Sequence, residues 1–526
     1  MTGRSGRSTV YAPRHAVATS QPLASGAGLT VLEEGGNAVD AAVTAAAVLS
    51  VTEPHMTGPG GDMFALLWSA PDRTLIGLDA SGTAGSRADA EALLAEGHAS
   101  VPERDARAVT VPGALAGWAA LLDRYGSIPL ERALAPAVRI AEGGFPVTPI
   151  IAHEWASLAP VLRADPGAAA TFLPGGRVPS PGGWFTNPDL AGTFRDIGRL
   201  GVGTLYGGPL GERLVDGLDR LGGSLTLDDL ARHEVRWVEP LAVDYHGVRL
   251  HELPPAGQGI AALQMLKLLE DRDLGSMGHN SSKYLHTLIE AKKLAYADLE
   301  RFVADPEHMP VSTAALLAPE YVRERAARID ASSAAESVAP GAPAAGSDTV
   351  YLTAADEQGS MVSFINSIYR PFGSGVVVPG TGFALQNRGA GFSLAPGHPN
   401  RLAPGKRPFH TIIPAFVSRD GQPWMSFGVM GGPMQPQGHV QVLLNLLHFG
   451  MDPQEALDAP RFRHLDGRRV AVEELREPTA TELGRLGHEL LDPEDFAFGG
   501  AQAIVRLTRG WAAASDPRKD GMAVGG

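Results

Sequence analysis

Gly346-Ser-Asp-Thr349-Val-Tyr-Leu352 stands where a loop-like run gives way to a strand-like one. Upstream, Val338-Ala-Pro-Gly-Ala-Pro-Ala-Ala345 has the composition of a linker. Downstream, Val350–Ala355 reads as a β-strand and Asp356-Glu-Gln-Gly359 as the turn of a hairpin. Such a junction is open to cleavage. A cut between Asp348 and Thr349 would place a hydroxyl and a new α-amine on one residue, which unites nucleophile and base. A threonine opening a strand is common, so the surrounding sequence has to carry the argument.

The chain has 526 residues, a net charge of -14 and no cysteine. That length can bury a large core. The acidic balance excludes the electrostatic footprint of a nucleic-acid or anionic-membrane binder. The lack of cysteine excludes disulfides, thiolate catalysis and cysteine metal sites. No apolar run reaches membrane length. The basic start, Met1-Thr-Gly-Arg-Ser-Gly-Arg-Ser8, is not followed by an apolar core, so no secretory leader is expected and the chain reads as cytoplasmic.

Helix and strand patterns alternate, which predicts a mixed α and β architecture. Asn37–Leu49, Ala- and Val-rich after Gly35-Gly36, predicts a buried helix. Lys283–Val303 gathers Leu285, Leu288, Ile289, Ala295, Leu299 and Phe302 on one helical face, and Asp305-Pro306 ends it. Strands are expected at Phe64–Trp68, Val350–Ala355, Met361–Ile365, Val376–Val378, Ile412–Val417 and Trp424–Val429. There is no internal repeat. A cut at Asp348/Thr349 would give a large piece, 1–348, and a small piece, 349–526. Both carry strand-forming segments, so one intertwined domain is expected.

Several motifs stand in a fixed order along the chain. They are Gly35-Gly-Asn-Ala-Val-Asp-Ala-Ala42, Glu53-Pro-His-Met-Thr-Gly-Pro-Gly-Gly61, Val111-Pro-Gly-Ala-Leu-Ala-Gly117 and Glu290-Ala-Lys-Lys-Leu-Ala-Tyr-Ala-Asp298. After Asp348-Thr349 come Ser363-Phe-Ile-Asn-Ser367, Phe372-Gly-Ser-Gly375, Met430-Gly-Gly432, Ala459-Pro-Arg-Phe462 and Ser515-Asp-Pro-Arg518. This order resembles the γ-glutamyltranspeptidase family over nearly the whole length. The resemblance implies an α+β fold, the four-layer αββα sandwich of the N-terminal-nucleophile hydrolases. It also implies an autoprocessed heterodimer of large and small pieces acting on a small-molecule amide, with no cofactor and no metal. A second copy of each piece is compatible with this reading.

On this resemblance Thr349 is the nucleophile, and its free amine, with a pKa of about 8, suits general-base work. In the intact chain that nitrogen is an amide, so cleavage switches the chemistry on. Gly431 and Gly432 fall on the oxyanion-hole position. Ser367 falls where a hydroxyl meets the nucleophile's amine, and His410 and Thr411 on the paired-serine position that contacts substrate. Gly58-Pro-Gly-Gly61 lacks the lysine and helix entry of a phosphate loop. His15, His55 and His439 have no ligand spacing, and Arg461, Asp516 and Arg518 read as buried charge partners.

The chain departs from the classical pattern at the glutamyl grip. Ser81 replaces the arginine that binds the α-carboxylate, Tyr369 replaces an asparagine, and Arg388 with Ala390-Gly391-Phe392 replaces a glutamine and an acid pair that bind the α-amine. An α-ammonium without an acid would be costly to bury. Arg388, with Arg370 and His410 nearby, predicts a positive pocket for an anionic acyl group. This pattern looks more like the branch of oxamate amidohydrolases and cephalosporin acylases. Two other readings stay open: γ-glutamyl hydrolysis or transfer, and an unprocessed binding homologue.

Overall fold

The computed structural model describes residues 6–336 and 349–526. Asp348 and the linker before it, where the cleavage is expected, lie outside the described residues. Two antiparallel sheets form the centre, each of seven strands. The first sheet runs, in spatial order, Met522–Gly525, Ala16–Thr19, Val350–Ala355, Met361–Ser367, Asp62–Ser69, Thr74–Ala80 and Arg236–Val238. The second runs Val10–Ala12, Trp511–Ser515, Gly500–Arg506, Gln422–Met430, Ala415–Arg419, Val248–Glu252 and Leu241–Tyr245. In both sheets, strands from before and after position 349 lie side by side.

Residue alternation explains the stacking. In Val350–Ala355, Val350, Leu352 and Ala354 face a helix layer, while Tyr351 and Ala355 pack with Phe416, Met430 and Ile504 between the sheets. In Met361–Ser367, Val362 and Phe364 face the helices, and Met361 and Ile365 the other sheet. A strand covered on both faces reads as a continuous apolar run. The outer helix layer on the first sheet includes Pro22–Glu33, Ala38–Thr52 and Ala114–Tyr125. That on the second includes Gly259–Leu269, Ser282–Phe302 and Met434–Phe449. The result is helix, sheet, sheet, helix, an α+β sandwich.

The Ala38–Thr52 helix is buried at every residue, which its small side chains permit. Asn37 caps it, and Asp40 returns a bond to the Asn37 backbone to complete a capping box. The segment 53–61 that follows packs against the chain leaving the strand Met361–Ser367. His55 O accepts from Phe372 N (2.7 Å) and Met56 O from Ile368 N (3.3 Å). Gly61 is required sterically, because a Cβ there would stand 2.4 Å from Ser367 O. Beneath it, the buried Glu154 holds His55 at 2.7 Å and pairs with Lys519. Among the described residues no helix is long and apolar enough to cross a membrane.

Two strand expectations need correction. Val376–Val378 is buried but forms no strand. Gly375 (φ 78°) and Gly380 (φ 79°) turn the chain at either end, and Val376 O accepts from Leu385 N at 3.0 Å. The strand expected over Ile412–Val417 begins at Ala415, since Pro414 has no N–H to give a ladder.

Candidate active site

Thr349 precedes the first residue of its strand, and Ser367 ends the neighbouring one. Val350 pairs with Asn366, so one further step sets Thr349 opposite Ser367. The Thr349 hydroxyl donates to Ser367 Oγ at 3.2 Å, and both residues are fully buried. Ser367 Oγ also accepts from Tyr369 N at 2.9 Å. Tyr369 holds φ 74°, a conformation that costs a non-glycine residue roughly 1–3 kcal/mol and clusters at functional sites.

The same row continues across the sheet. Ser367 pairs with Asp62 and Met63 with Ala80, so Asp62 lies beside Ser367 and Ser81 just beyond it. Thr349, Ser367 and Asp62 share the parity of Tyr351, Ile365 and Phe64, whose side chains fill the space between the sheets.

Arg388 lies wholly buried in this space. Its Nη1 donates to Thr411 Oγ1 (3.0 Å), its Nε stands 3.5 Å from Asp62 Oδ2, and its guanidinium carbon sits 4.5 Å from the centre of the Tyr369 ring. Arg388 Nε and Nη2 and Asp62 Oδ2 have no hydrogen-bond partner. Asp62 Oδ1 accepts from Gly82 N at 3.1 Å. Burial lifts the Asp62 carboxyl to about 7 despite the adjacent guanidinium. Burial also lowers the Arg388 pKa, against the pull of Asp62.

His410 packs its ring 5.1 Å from that of Phe64, is fully buried, and has no partner on either ring nitrogen. Burial, then Arg388, Arg407 and Arg236, hold its pKa well below the usual range, so the ring is neutral. Ser81 turns its hydroxyl to Asp79 Oδ1 (2.6 Å). Arg370 donates to Glu103 through Nε at 3.0 Å. The cations expected from sequence each have a counterpart or are uncharged. Glu103 neutralises Arg370, Asp62 faces Arg388 and His410 is uncharged, because isolated charges cannot be buried cheaply.

The second sheet supplies Gly431 and Gly432, directly after the strand Gln422–Met430 and before the helix Met434–Phe449. Their φ values, 116° and 55°, re-aim the backbone at the positive end of that helix. Gln258, which sequence reasoning missed, ties them to the first group. Its Nε2 donates to Gly432 O at 2.8 Å and to Thr411 O. A continuous set of contacts thus runs Thr349, Ser367, Tyr369, Arg388, Thr411, Gln258, Gly432. Asp62 was also missed; an acid at the end of an apolar strand was its signal.

The described residues hold one group of metal-capable side chains, His286, Glu290 and His488. There the Lys293 ammonium donates to Glu290 Oε1 (2.7 Å) and the imidazoles bond each other (2.8 Å).

Residues 24–526 match the family model for γ-glutamyltranspeptidase. The chain is 40% identical over 520 residues to the oxamate amidohydrolase proenzyme of Klebsiella pneumoniae, covering 96% of this chain and 97% of the relative. It is 35% identical over 528 residues to the glutathione hydrolase-like YwrD proenzyme of Bacillus subtilis, covering 98% and 99%. The crystal structure of cephalosporin acylase from Bacillus halodurans superposes with a TM-score of 0.95 at 43% identity, covering 100% of this chain and 98% of that one. Four layers, a buried threonine–serine pair and full-length similarity converge: the chain belongs to the γ-glutamyltranspeptidase family of N-terminal-nucleophile amide hydrolases.

Proposed function

We propose that this chain is an autoprocessing amide hydrolase that removes a short acidic acyl group from its amide, of the oxamate kind, through an ester on Thr349. The observation that carries the reading is the fully buried Arg388, whose Nε and Nη2 have no hydrogen-bond partner although Asp62 stands 3.5 Å from Nε, joined by contacts to the Thr349–Ser367 pair. Unmet buried donors cost roughly 1–3 kcal/mol each, and an acyl carboxylate would meet both at once. The similarity to an oxamate amidohydrolase supports the same acyl class.

The proposed steps are these. Thr349 Oγ attacks the carbonyl before it, the C–N bond breaks as the acyl group shifts to Oγ and frees the α-amine, and water hydrolyses the resulting ester to free the hydroxyl and leave a carboxylate on the preceding residue. In turnover the amine takes the hydroxyl proton while Oγ attacks the substrate carbonyl. The N–H groups at Gly431 and Gly432 receive the oxyanion. The proton passes to the leaving amine, and water or a second amine resolves the acyl ester. Ser367 orients Thr349. Arg388, Thr411, Tyr369 and His410 hold the acyl end, and Ser81 shapes the wall through the loop that presents Gly82 N to Asp62.

The Asp62–Arg388 pair also favours a second reading, γ-glutamyl hydrolysis, because a zwitterionic head group finds both charges there. Ammonia release from oxamate set against turnover of γ-glutamyl-p-nitroanilide separates the two. Two bands summing to full length on a denaturing gel, with oxamate turned over, is the expected result. Robust turnover of the glutamyl compound alone would overturn the acyl assignment, and one uncut band with no turnover would favour a binding homologue.

A further inference from the structure

We propose that Asp62 sets which acyl groups the site accepts: it holds Arg388 by its own carboxylate and yields it to an anionic acyl end only by taking a proton from solvent. The inference rests on the acyl-site reading above and names the residue that decides the charge of the substrate.

Three observations carry it. Asp62 is the cross-strand partner of Ser367, so its carboxylate belongs to the row that holds the nucleophile. It and Arg388 are both fully buried, and the 3.5 Å between Nε and Oδ2 is an ion pair without a hydrogen bond. The guanidinium is thus fixed through Nη1 and the Tyr369 ring, while Nε and Nη2, which have no hydrogen-bond partner, can take another oxyanion.

The charges facing Asp62 then decide. From its own row and the adjoining strand come Ser81, hydroxyl-bonded to Asp79, and Asp79, which pairs with Arg236. Tyr206, pushed up by burial, and Arg407 act at longer range, and His410 is neutral. Arg388 is the one cation in contact with Asp62 among the described ion pairs. A substrate carboxylate there would leave two carboxylates on one guanidinium, out of water. Like charges so placed do not both stay ionised. Arginine keeps its proton, so the proton is gained by Asp62, whose carboxyl burial has already lifted to about 7. A zwitterionic acyl end behaves oppositely, since its ammonium needs Asp62 charged.

Oxamate, oxamide and glutamine release the same product, ammonia, from an anionic, a neutral and a zwitterionic acyl group. Their kcat/KM values are measured for the wild type and Asp62→Asn between about pH 6 and 9. In the wild type, KM for oxamate should rise by about tenfold per pH unit above 7, the slope of one linked proton, while that for oxamide stays flat. In Asp62→Asn the oxamate slope should vanish, and the oxamate-to-oxamide ratio of kcat/KM at about pH 8 should rise by roughly tenfold. A slope that survives the substitution, or a variant that loses oxamate and keeps glutamine, overturns the proposal.

A second measurement needs neither turnover nor the variant. Calorimetry of oxalate binding to the wild type, in two buffers of different ionisation heat at about pH 8, should read close to one proton taken up per oxalate. Oxalate that fails to bind, or binds without proton uptake, overturns the inference. Failure of every amide to turn over, with proton-linked oxalate binding intact, would instead sink the hydrolase reading alone.

Discussion

Ser367 and Asp62 face each other across adjacent antiparallel strands. One holds the proposed nucleophile and the other the proposed substrate cation. The single strand Met361–Ser367 separates the two tasks. Ser367 therefore serves the nucleophile side alone, and Ser367→Ala should lower kcat by about tenfold to a hundredfold, the worth of one or two buried hydrogen bonds. KM for oxamate should move much less, because Arg388 keeps its contacts with Thr411 and Tyr369. Steady-state kinetics on oxamate reads the split.

Thr349→Ala should give a single full-length band and no measurable turnover, a loss of at least about a thousandfold. Thr349→Ser keeps a hydroxyl in the same row and should yield two bands with reduced activity. Intact-mass spectrometry and ammonia release check both.

Gln258→Ala removes the one side chain that donates to both Thr411 O and Gly432 O. It should cost about tenfold or more in kcat/KM, split between kcat and KM, since it loosens the oxyanion turn and the Arg388 partner together. Gln258→Glu should be worse, because a carboxylate would meet two carbonyls.

Gly431→Ala tests the turn itself. Its φ of 116° is closed to L side chains, and a Cβ would stand 3.0 Å from Gly499 Cα. A displaced donor costs about 10²–10³ in kcat. The prediction is that order of loss, with an unfolding midpoint shifted by no more than the 1–3 kcal/mol of local strain.

Asp516 tests the frame. It accepts from Arg461 (2.6 Å) and Ala501 N (2.8 Å), and it pairs with Arg518 (3.0 Å), joining the strand Gly500–Arg506 to the helix Pro453–Asp458 through Leu457 O. Its pKa is lowered by Arg461 and Arg518 and by backbone donors, against burial. A depressed carboxyl contributes stability above its unfolded pKa, about 4, and loses it as pH falls through the folded value. Asp516→Asn should cost about 3–5 kcal/mol at pH 7, and the gap to wild type should close below about pH 4. Urea midpoints across that range check the sign.

The legible parts of the fold were those with one period and one terminator. Val350–Ala355 and its hairpin partner alternate between two apolar layers and are closed by Asp356–Gly359. The helix over Ser282–Phe302 shows its face in sequence and ends before Asp305-Pro306. The run Val376–Val378 misled because β-branched residues fill a helix-packed loop as well as they fill a strand. At the site, Thr349, Ser367 and the glycine pair carried motifs. Asp62 and Gln258 did not, for their meaning lies in cross-strand register and in two carbonyls 153 and 174 residues away. Charge balance was illegible for the same reason: Arg370 and Arg388 are visible in sequence, whereas Glu103 and Asp62, which pair with them, become neighbours only on folding.

Thr349 is wholly shielded from solvent. If the chain is cut before Thr349 as proposed, an outside protease would find that residue out of reach, and the proposed maturation would be the protein's own act, made after the sandwich has closed. The same enclosure would protect the product: a terminus born there by the proposed cut would be hidden from aminopeptidases, acetylating enzymes and amine-reactive dyes alike, and should take up label only after the protein has been denatured.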